Sequence, residues 1–80
     1  MRFMDEVIEM GGFGVVLLCV EGQPREGMRL KDARGNVHQA GSVTEQDGLY
    51  TVHLPEGDAD YFGRLFRDVR VDATLFEEVP

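Results

Sequence analysis

Cysteine is nearly missing from this sequence. Cys19 is the only one among 80 residues, which excludes an internal disulfide and removes the cysteine pairs on which most strong zinc motifs depend. Long apolar runs are missing too. The longest, Val15 to Val20, has six residues, far short of the roughly 20 that a membrane-spanning helix needs. No Gly-x-x-x-x-Gly-Lys-Ser/Thr loop occurs, so GTP hydrolysis by this chain alone is excluded on motifs. No repeat, low-complexity tract or linker interrupts the chain, which reads as one domain over residues 1–80. The opening Met1-Arg2-Phe3-Met4-Asp5-Glu6 carries acids where a secretory leader would carry an apolar stretch. The expectation is a soluble, cytoplasmic protein, with Cys19 a buried, inert thiol in a reducing compartment.

What is present is an apolar fraction of 42% with a net charge of −7. That fraction is too high for a disordered chain. The charge is unevenly spread. Arg25, Arg29, Lys31 and Arg34 form one basic island, and Arg64, Arg67 and Arg70 a second. Glu45, Asp47, Glu56, Asp58 and Asp60 make the intervening stretch acidic. A chain that neutralises many phosphates normally shows a net basic face, so the overall sign argues against free nucleic-acid binding, while the islands allow a small docked contact.

The pattern is that of strands. Gly11-Gly12-Phe13-Gly14 and Gly22 bracket Val15–Val20, and a short continuous apolar run between turn residues predicts a strand buried on both faces. Residues 2–10 place Phe3 and Val7 on one side and Met4, Ile8 and Met10 on the other, a strand by parity, although Phe3, Val7 and Met10 also fit a helix. Short strands follow at Met28–Lys31 and, interrupted by Gly41, at Val37–Val43. Asp47-Gly48 is the sharpest turn signal and precedes the strand Leu49–Leu54. Residues 58–71 are ambiguous. Tyr61, Phe62, Leu65, Phe66 and Val69 have helical spacing with Asp58 as a cap, but Gly63 costs a helix about 1 kcal/mol. Val71–Phe76 reads as a last strand, with Glu77, Glu78 and Pro80 fraying beyond it.

No constellation of catalytic residues stands out. His38 and His53 with Asp47, Glu56 or Asp58 lack the spacing of a metal motif and read as strand-face histidines. Asp58, Asp60 and Glu56 lack the order of a calcium loop and read as solvated. Ser42 and Thr44 have no base near them in sequence. Tyr61, Phe62 and Phe66 fit core packing better than base stacking. No metal and no cofactor is expected.

The order of strands and glycines resembles domain II of the translational GTPases, the β-barrel that follows the GTP-binding domain in elongation factor Tu and its relatives. Phe3, Val7, Ile8 and Met10 resemble the opening strand of that module. Gly12-Phe13-Gly14-Val15-Val16 resembles its turn-and-strand, and Val20-Glu21-Gly22 with Arg25-Glu26-Gly27-Met28 its following loop. Arg34-Gly35, Glu56-Gly57-Asp58 and Leu65-Phe66-Arg67-Asp68-Val69 with Asp72 resemble later turns, the last being strand and turn in the family. The resemblance covers roughly residues 3 to 76. It implies a strand rather than a helix in residues 58–71. Phe13 stands where the family carries Arg, Val15 where it carries Thr, Cys19 where Gly is common and Asp68 where it carries Gly.

The expected fold is therefore all-β: a small closed or partly open barrel of six to seven mostly antiparallel strands, with Greek-key-like connections implied by the resemblance. The expected function is a non-enzymatic binding module that docks a protein partner, since relatives of the resembled family work by packing against neighbours. The alternative is RNA or ribosome contact through Arg25, Arg29, Lys31 and Arg34, with Arg64 and Arg67. An enzyme whose strand-face residues converge unseen is a third reading.

Overall fold

The computed structural model describes residues 1–68 and 72–80. Seven strands and one helix follow in the order β1 (Arg2–Glu9), β2 (Val15–Glu21), β3 (Arg29–Lys31), β4 (Val37–Gln39), β5 (Val43–Gln46), β6 (Leu49–Leu54), α1 (Ala59–Asp68) and β7 (Glu77–Val79), with a single 3-10 turn at Gly11–Phe13. The strands form two antiparallel sheets: a four-stranded sheet in the order β1-β2-β6-β5, and a three-stranded sheet in the order β4-β3-β7. The expectation of an all-β domain holds in part, since the chain is mostly strand but carries one helix. The closed barrel does not, because both segments that run between the sheets leave the ladder where they bend.

One bend lies at Ala40–Ser42. Ala40 N–H donates to Met28 O at 2.9 Å on the β3 side, whereas Gly41 N–H donates to His53 O at 2.7 Å on the β6 side. A Cβ at Gly41 would meet Pro55 Cγ at 3.0 Å, so the close backbone approach that the sequence suggested is present. The single strand expected over Val37–Val43 is thereby broken into β4 and β5. The other bend lies at Thr74–Phe76. Phe3 N–H donates to Thr74 O and Phe76 N–H to Met1 O, both at 2.8 Å, before the chain turns away to pair β7 with β3. The last strand is thus Glu77–Val79, in residues expected to fray, and not Val71–Phe76. Asp72–Thr74 is turn, Leu75 makes only an isolated bridge to Arg2, and Val71 lies outside the described residues.

Residues 59–68 are helical, which corrects the strand implied by the resemblance. Asp58 supplies the cap: its Oδ1 accepts from Asp60 N–H at 2.9 Å, and its carbonyl accepts from Phe62 N–H at 3.1 Å. Phe62 and Leu65 are fully buried, and Tyr61 and Phe66 pack partly buried against the same core. Burying two such side chains contributes about 3–6 kcal/mol, which outweighs the roughly 1 kcal/mol that Gly63 costs. Val69 and Arg70 lie outside the described residues.

One core joins both sheets and the helix. Phe3, Val15, Leu17 and Cys19 enter from β1 and β2, Val52 and Leu54 from β6, Leu30 from β3, and Phe76 from the closing segment. Phe3 meets Phe76 edge-on at 4.8 Å between ring centres, an arrangement favoured by the ring quadrupoles. Asp47 and Gly48 both adopt positive φ, 54° and 82°, as the two-residue β5–β6 hairpin requires.

Val15–Val20 needs a correction. Val15, Leu17 and Cys19 point into the core and are buried, but Val16 and Leu18 are only half-buried and Val20 is exposed. The strand is covered on one face only. Its other face is equally apolar.

Candidate docking face and the residues around it

The register of the larger sheet fixes which side chains share its outer face. Ile8 lies opposite Val16, and Val16 opposite His53; Leu18 lies opposite Thr51, and Thr51 opposite Thr44. Alternation therefore puts Ile8, Val16, Leu18 and Val20 on the side away from the core. Phe13, from the turn between β1 and β2, joins them and is 75% exposed; Met10, at the entry to that turn, is 44% exposed.

The turn that carries Phe13 is held from three sides. Met10 N–H donates to Gly14 O at 3.0 Å, Phe13 N–H donates to Met10 O at 3.1 Å, and His53 Nε2–H donates to Phe13 O at 2.6 Å. Gly14 has φ 89°, and a Cβ there would lie 2.1 Å from Leu54 O, so only glycine lets β6 approach this closely. An exposed ring is thus presented on an ordered backbone. Beside it lies an open groove of about 360 Å³ lined by Met10, Phe13, Val16, Ser42, Thr44, Thr51 and His53. Thr44 and Thr51 hydrogen-bond to each other through their hydroxyls.

The charges around the two sheets differ in kind. Residues 1–22 and 42–57, which carry the larger sheet and its turns, hold the carboxylates of Asp5, Glu6, Glu9, Glu21, Glu45, Asp47 and Glu56 against one basic side chain, Arg2. All seven residues are exposed. Among the described residues, none of the seven is in an ion pair, and Arg2 Nη1 donates instead to Thr74 Oγ1 at 3.1 Å.

The basic residues singled out in the sequence are spread over the other half, and most are engaged. Arg25 pairs with Glu78, and Lys31 Nζ lies 3.4 Å from a Glu77 carboxylate oxygen. Arg29 Nη1 donates to Pro80 O at 2.6 Å. The Arg34 guanidinium sits 5.9 Å from the Tyr61 ring centre, a cation–π distance. Arg67 is 3.4 Å from Asp68 on α1, and Arg64 is exposed on the same helix. Arg25, Arg29 and Lys31 are lined up against β7 and the residue after it, Arg34 lies over Tyr61, and Arg64 and Arg67 lie on the helix, Arg70 being outside the described residues.

In the sequence Asp32 reads as an ordinary turn residue, but among the described residues it is the most heavily bonded side chain. Its side chain is wholly buried. Oδ1 accepts from Arg34 N–H at 2.8 Å and Asn36 N–H at 3.1 Å, and Oδ2 accepts from His38 Nε2–H at 2.7 Å and Tyr61 O–H at 2.6 Å. Asn36 Nδ2–H in turn donates to the Tyr61 oxygen at 2.6 Å. Burial pushes the Asp32 carboxyl up, but hydrogen bonds from His38, Tyr61, Asn36 and Arg34 outweigh it and hold the group below the ordinary carboxylate range. Burial, together with the neighbouring Asp32 carboxylate, pushes the Tyr61 phenol up against the lowering effect of Asn36. The His38 ring packs 4.7 Å from the Phe62 ring centre. The network bolts α1 to the β3–β4 hairpin.

His38 and His53 are strand-face residues, one bonded to Asp32 and the other to Phe13 O, and the described residues contain no group of three His, Cys, Asp or Glu able to hold a metal. Phe62 is core, with Tyr61 and Phe66 packed against it, as the sequence suggested. Burial also pushes the Cys19 thiol up, as expected of an inert residue. No helix among the described residues is long and apolar enough to cross a membrane. No protein-family model, curated protein or solved structure matches this chain.

Proposed function

We propose that this protein is a non-enzymatic binding module of the cytoplasm that docks a protein partner on the outer face of its larger sheet. One observation carries the reading: β2 is apolar on both faces, yet its own chain covers only one. Val16, Leu18 and Val20, with Ile8 beside them and the exposed Phe13 at the rim, form a contiguous apolar surface on an ordered backbone. Contiguous apolar patches on a small domain mark interaction sites, and a rigid, exposed aromatic residue is the usual anchor of such a site. The resemblance to domain II of the translational GTPases supports the same reading, because that module works by packing against neighbours.

The substitution of Phe13 for the family's Arg fits a partner surface read by apolar contact rather than by phosphate binding. RNA or ribosome contact through Arg25, Arg29, Lys31, Arg34, Arg64 and Arg67 draws less support, since Arg25, Lys31 and Arg67 are paired with carboxylates. Photo-crosslinking tests the proposal. A photoreactive phenylalanine analogue at position 13 is expected to give a discrete protein adduct in native lysate, and the same group at Arg64 none. Equal labelling from both positions, or none from position 13, would count against docking on this face.

A further inference from the structure

We infer that the partner engages this protein as an extended strand, whose main chain adds to the free edge of β5 while one large apolar side chain enters the groove beside Phe13. The inference rests on the docking reading above and adds the conformation of the occupant. β5 ends the larger sheet and pairs with β6 alone. Asp47-Gly48 is a two-residue turn, so Gln46 and Leu49 exchange both main-chain hydrogen bonds, and Thr44 with Thr51 does the same one pleat further on. His53 N–H, donating to Ser42 O at 2.9 Å, continues that alternation. The N–H and C=O groups of Val43 and Glu45 therefore point away from β6, two donors and two acceptors along one edge. Thr44, Glu45 and Gln46 are exposed. At the other end of the sheet β1 is covered, since the closing segment bonds along its start through Thr74 O and Phe76 N–H, and α1 packs beside it.

Main-chain complementarity selects the occupant. An extended segment offers acceptors and donors at the spacing of the edge, which is how strand addition gains its affinity. A helical segment, with its main chain already paired, gains nothing from these groups. The residue of an added strand that lies opposite Thr44 places its side chain on the outer face, and Thr44 lines the groove together with Thr51, Val16 and Phe13. The Thr44 and Thr51 hydroxyls bond to each other, which leaves this rim without need of a polar group. A large apolar side chain can cross it toward Val16 and the Phe13 ring. A second copy fits less well. The antiparallel register in which two β5 edges use all four groups pairs Val43 with Glu45 about Thr44. It sets the two Glu45 carboxylates diagonally across the seam on one face, where like charges repel. A charge on the core side of an edge strand is a device against self-pairing, and it leaves the edge open to a strand of different sequence.

The test pans a random-peptide phage library in parallel on the wild-type protein and on Phe13→Ala. A synthetic peptide of a sequence enriched on the wild type alone is then N-methylated one amide at a time. Affinity is expected to fall roughly tenfold at every second residue of the pairing segment, where the lost N–H faced β5, and to change little at the residues between. Glu45→Pro removes one outward N–H without touching the β6 ladder, and it is expected to bind the same peptide roughly tenfold more weakly. Circular dichroism checks that both variants remain folded, and the methyl scan stands without Glu45→Pro. A scan without the alternation, or full affinity for a folded Glu45→Pro, would overturn the added strand and leave docking at Phe13 intact. A wild-type dimer in sedimentation equilibrium that Glu45→Pro abolishes would assign the edge to a second copy and overturn the inference as well. No enrichment, or the same sequences on both proteins, would remove the docking reading and this inference together.

Discussion

The two sheets of this small protein handle their outward-facing chemistry in opposite ways. On the smaller sheet the chain answers its own charges. β7 lays Glu77 and Glu78 against Lys31 and Arg25, and the Asp32 carboxylate beneath the β3–β4 turn has four donors. On the larger sheet it answers neither charge nor apolar surface. Seven carboxylates go unpaired among the described residues, and half of β2 faces away from the core. The difference teaches where to look for function in a chain without catalytic motifs. A surface that satisfies itself is architecture, and an apolar face that its own chain leaves uncovered is the place to look for contact with something else.

The comparison breaks hardest at Asp32. Asp32→Ala leaves Tyr61 and His38 without their acceptor and frees two amides in the turn, and a loss of about 3 kcal/mol is expected. Urea denaturation followed by circular dichroism measures it. Acid acts on the same group. Its folded pKa is depressed, so its stabilisation is complete above the unfolded value of about 3.9 and disappears as pH falls through the folded one. The stability gap between wild type and Asp32→Asn is therefore expected to narrow below about pH 4. A gap that stays constant down to strongly acid conditions would mean the carboxylate charge is not what holds the helix to the hairpin.

Smaller effects sharpen the contrast. Gly63→Ala on α1 is expected to raise stability by about 0.5–1 kcal/mol, since a Cβ there meets nothing within 4 Å. A lower melting temperature would show that the helix needs glycine for a close approach. Lys31→Ala, which breaks an exposed pair with Glu77, should cost less than about 0.5 kcal/mol, and added salt should erase even that. Phe13→Ala should leave the denaturation midpoint within about 0.5 kcal/mol of wild type, because the ring is mostly in water. A large loss would make Phe13 part of the fold and take away its availability to a partner.

Local signals carried much of this architecture in the sequence, and long-range ones did not. Asp47-Gly48 announced a hairpin because two positive φ values are a local demand. Val15–Val20 announced a strand for the same kind of reason, but a continuous apolar run cannot say whether its second face meets the chain itself or a partner. Helical spacing in residues 59–68 was visible, and the family resemblance argued it away. β7 was invisible, since Glu77-Glu78-Val79 has no strand pattern of its own and becomes a strand only against Arg29–Lys31. Asp32 read as turn chemistry because His38 is six residues away and Tyr61 twenty-nine. Phe13 stands in a glycine-rich turn that gives no sign of where its ring points, and its exposure needed the third dimension.

The pairing of β7 with β3 has a consequence for the order of folding. The β1–β2 and β5–β6 hairpins close over short loops and can form early, but residues 29–31 meet residues 77–79 only after a long loop has closed. On the ribosome, β3 therefore emerges and waits with Arg29 and Lys31 unpaired until the segment holding Glu77 and Glu78 has been made. The smaller sheet is completed last, and until then its cations face solvent.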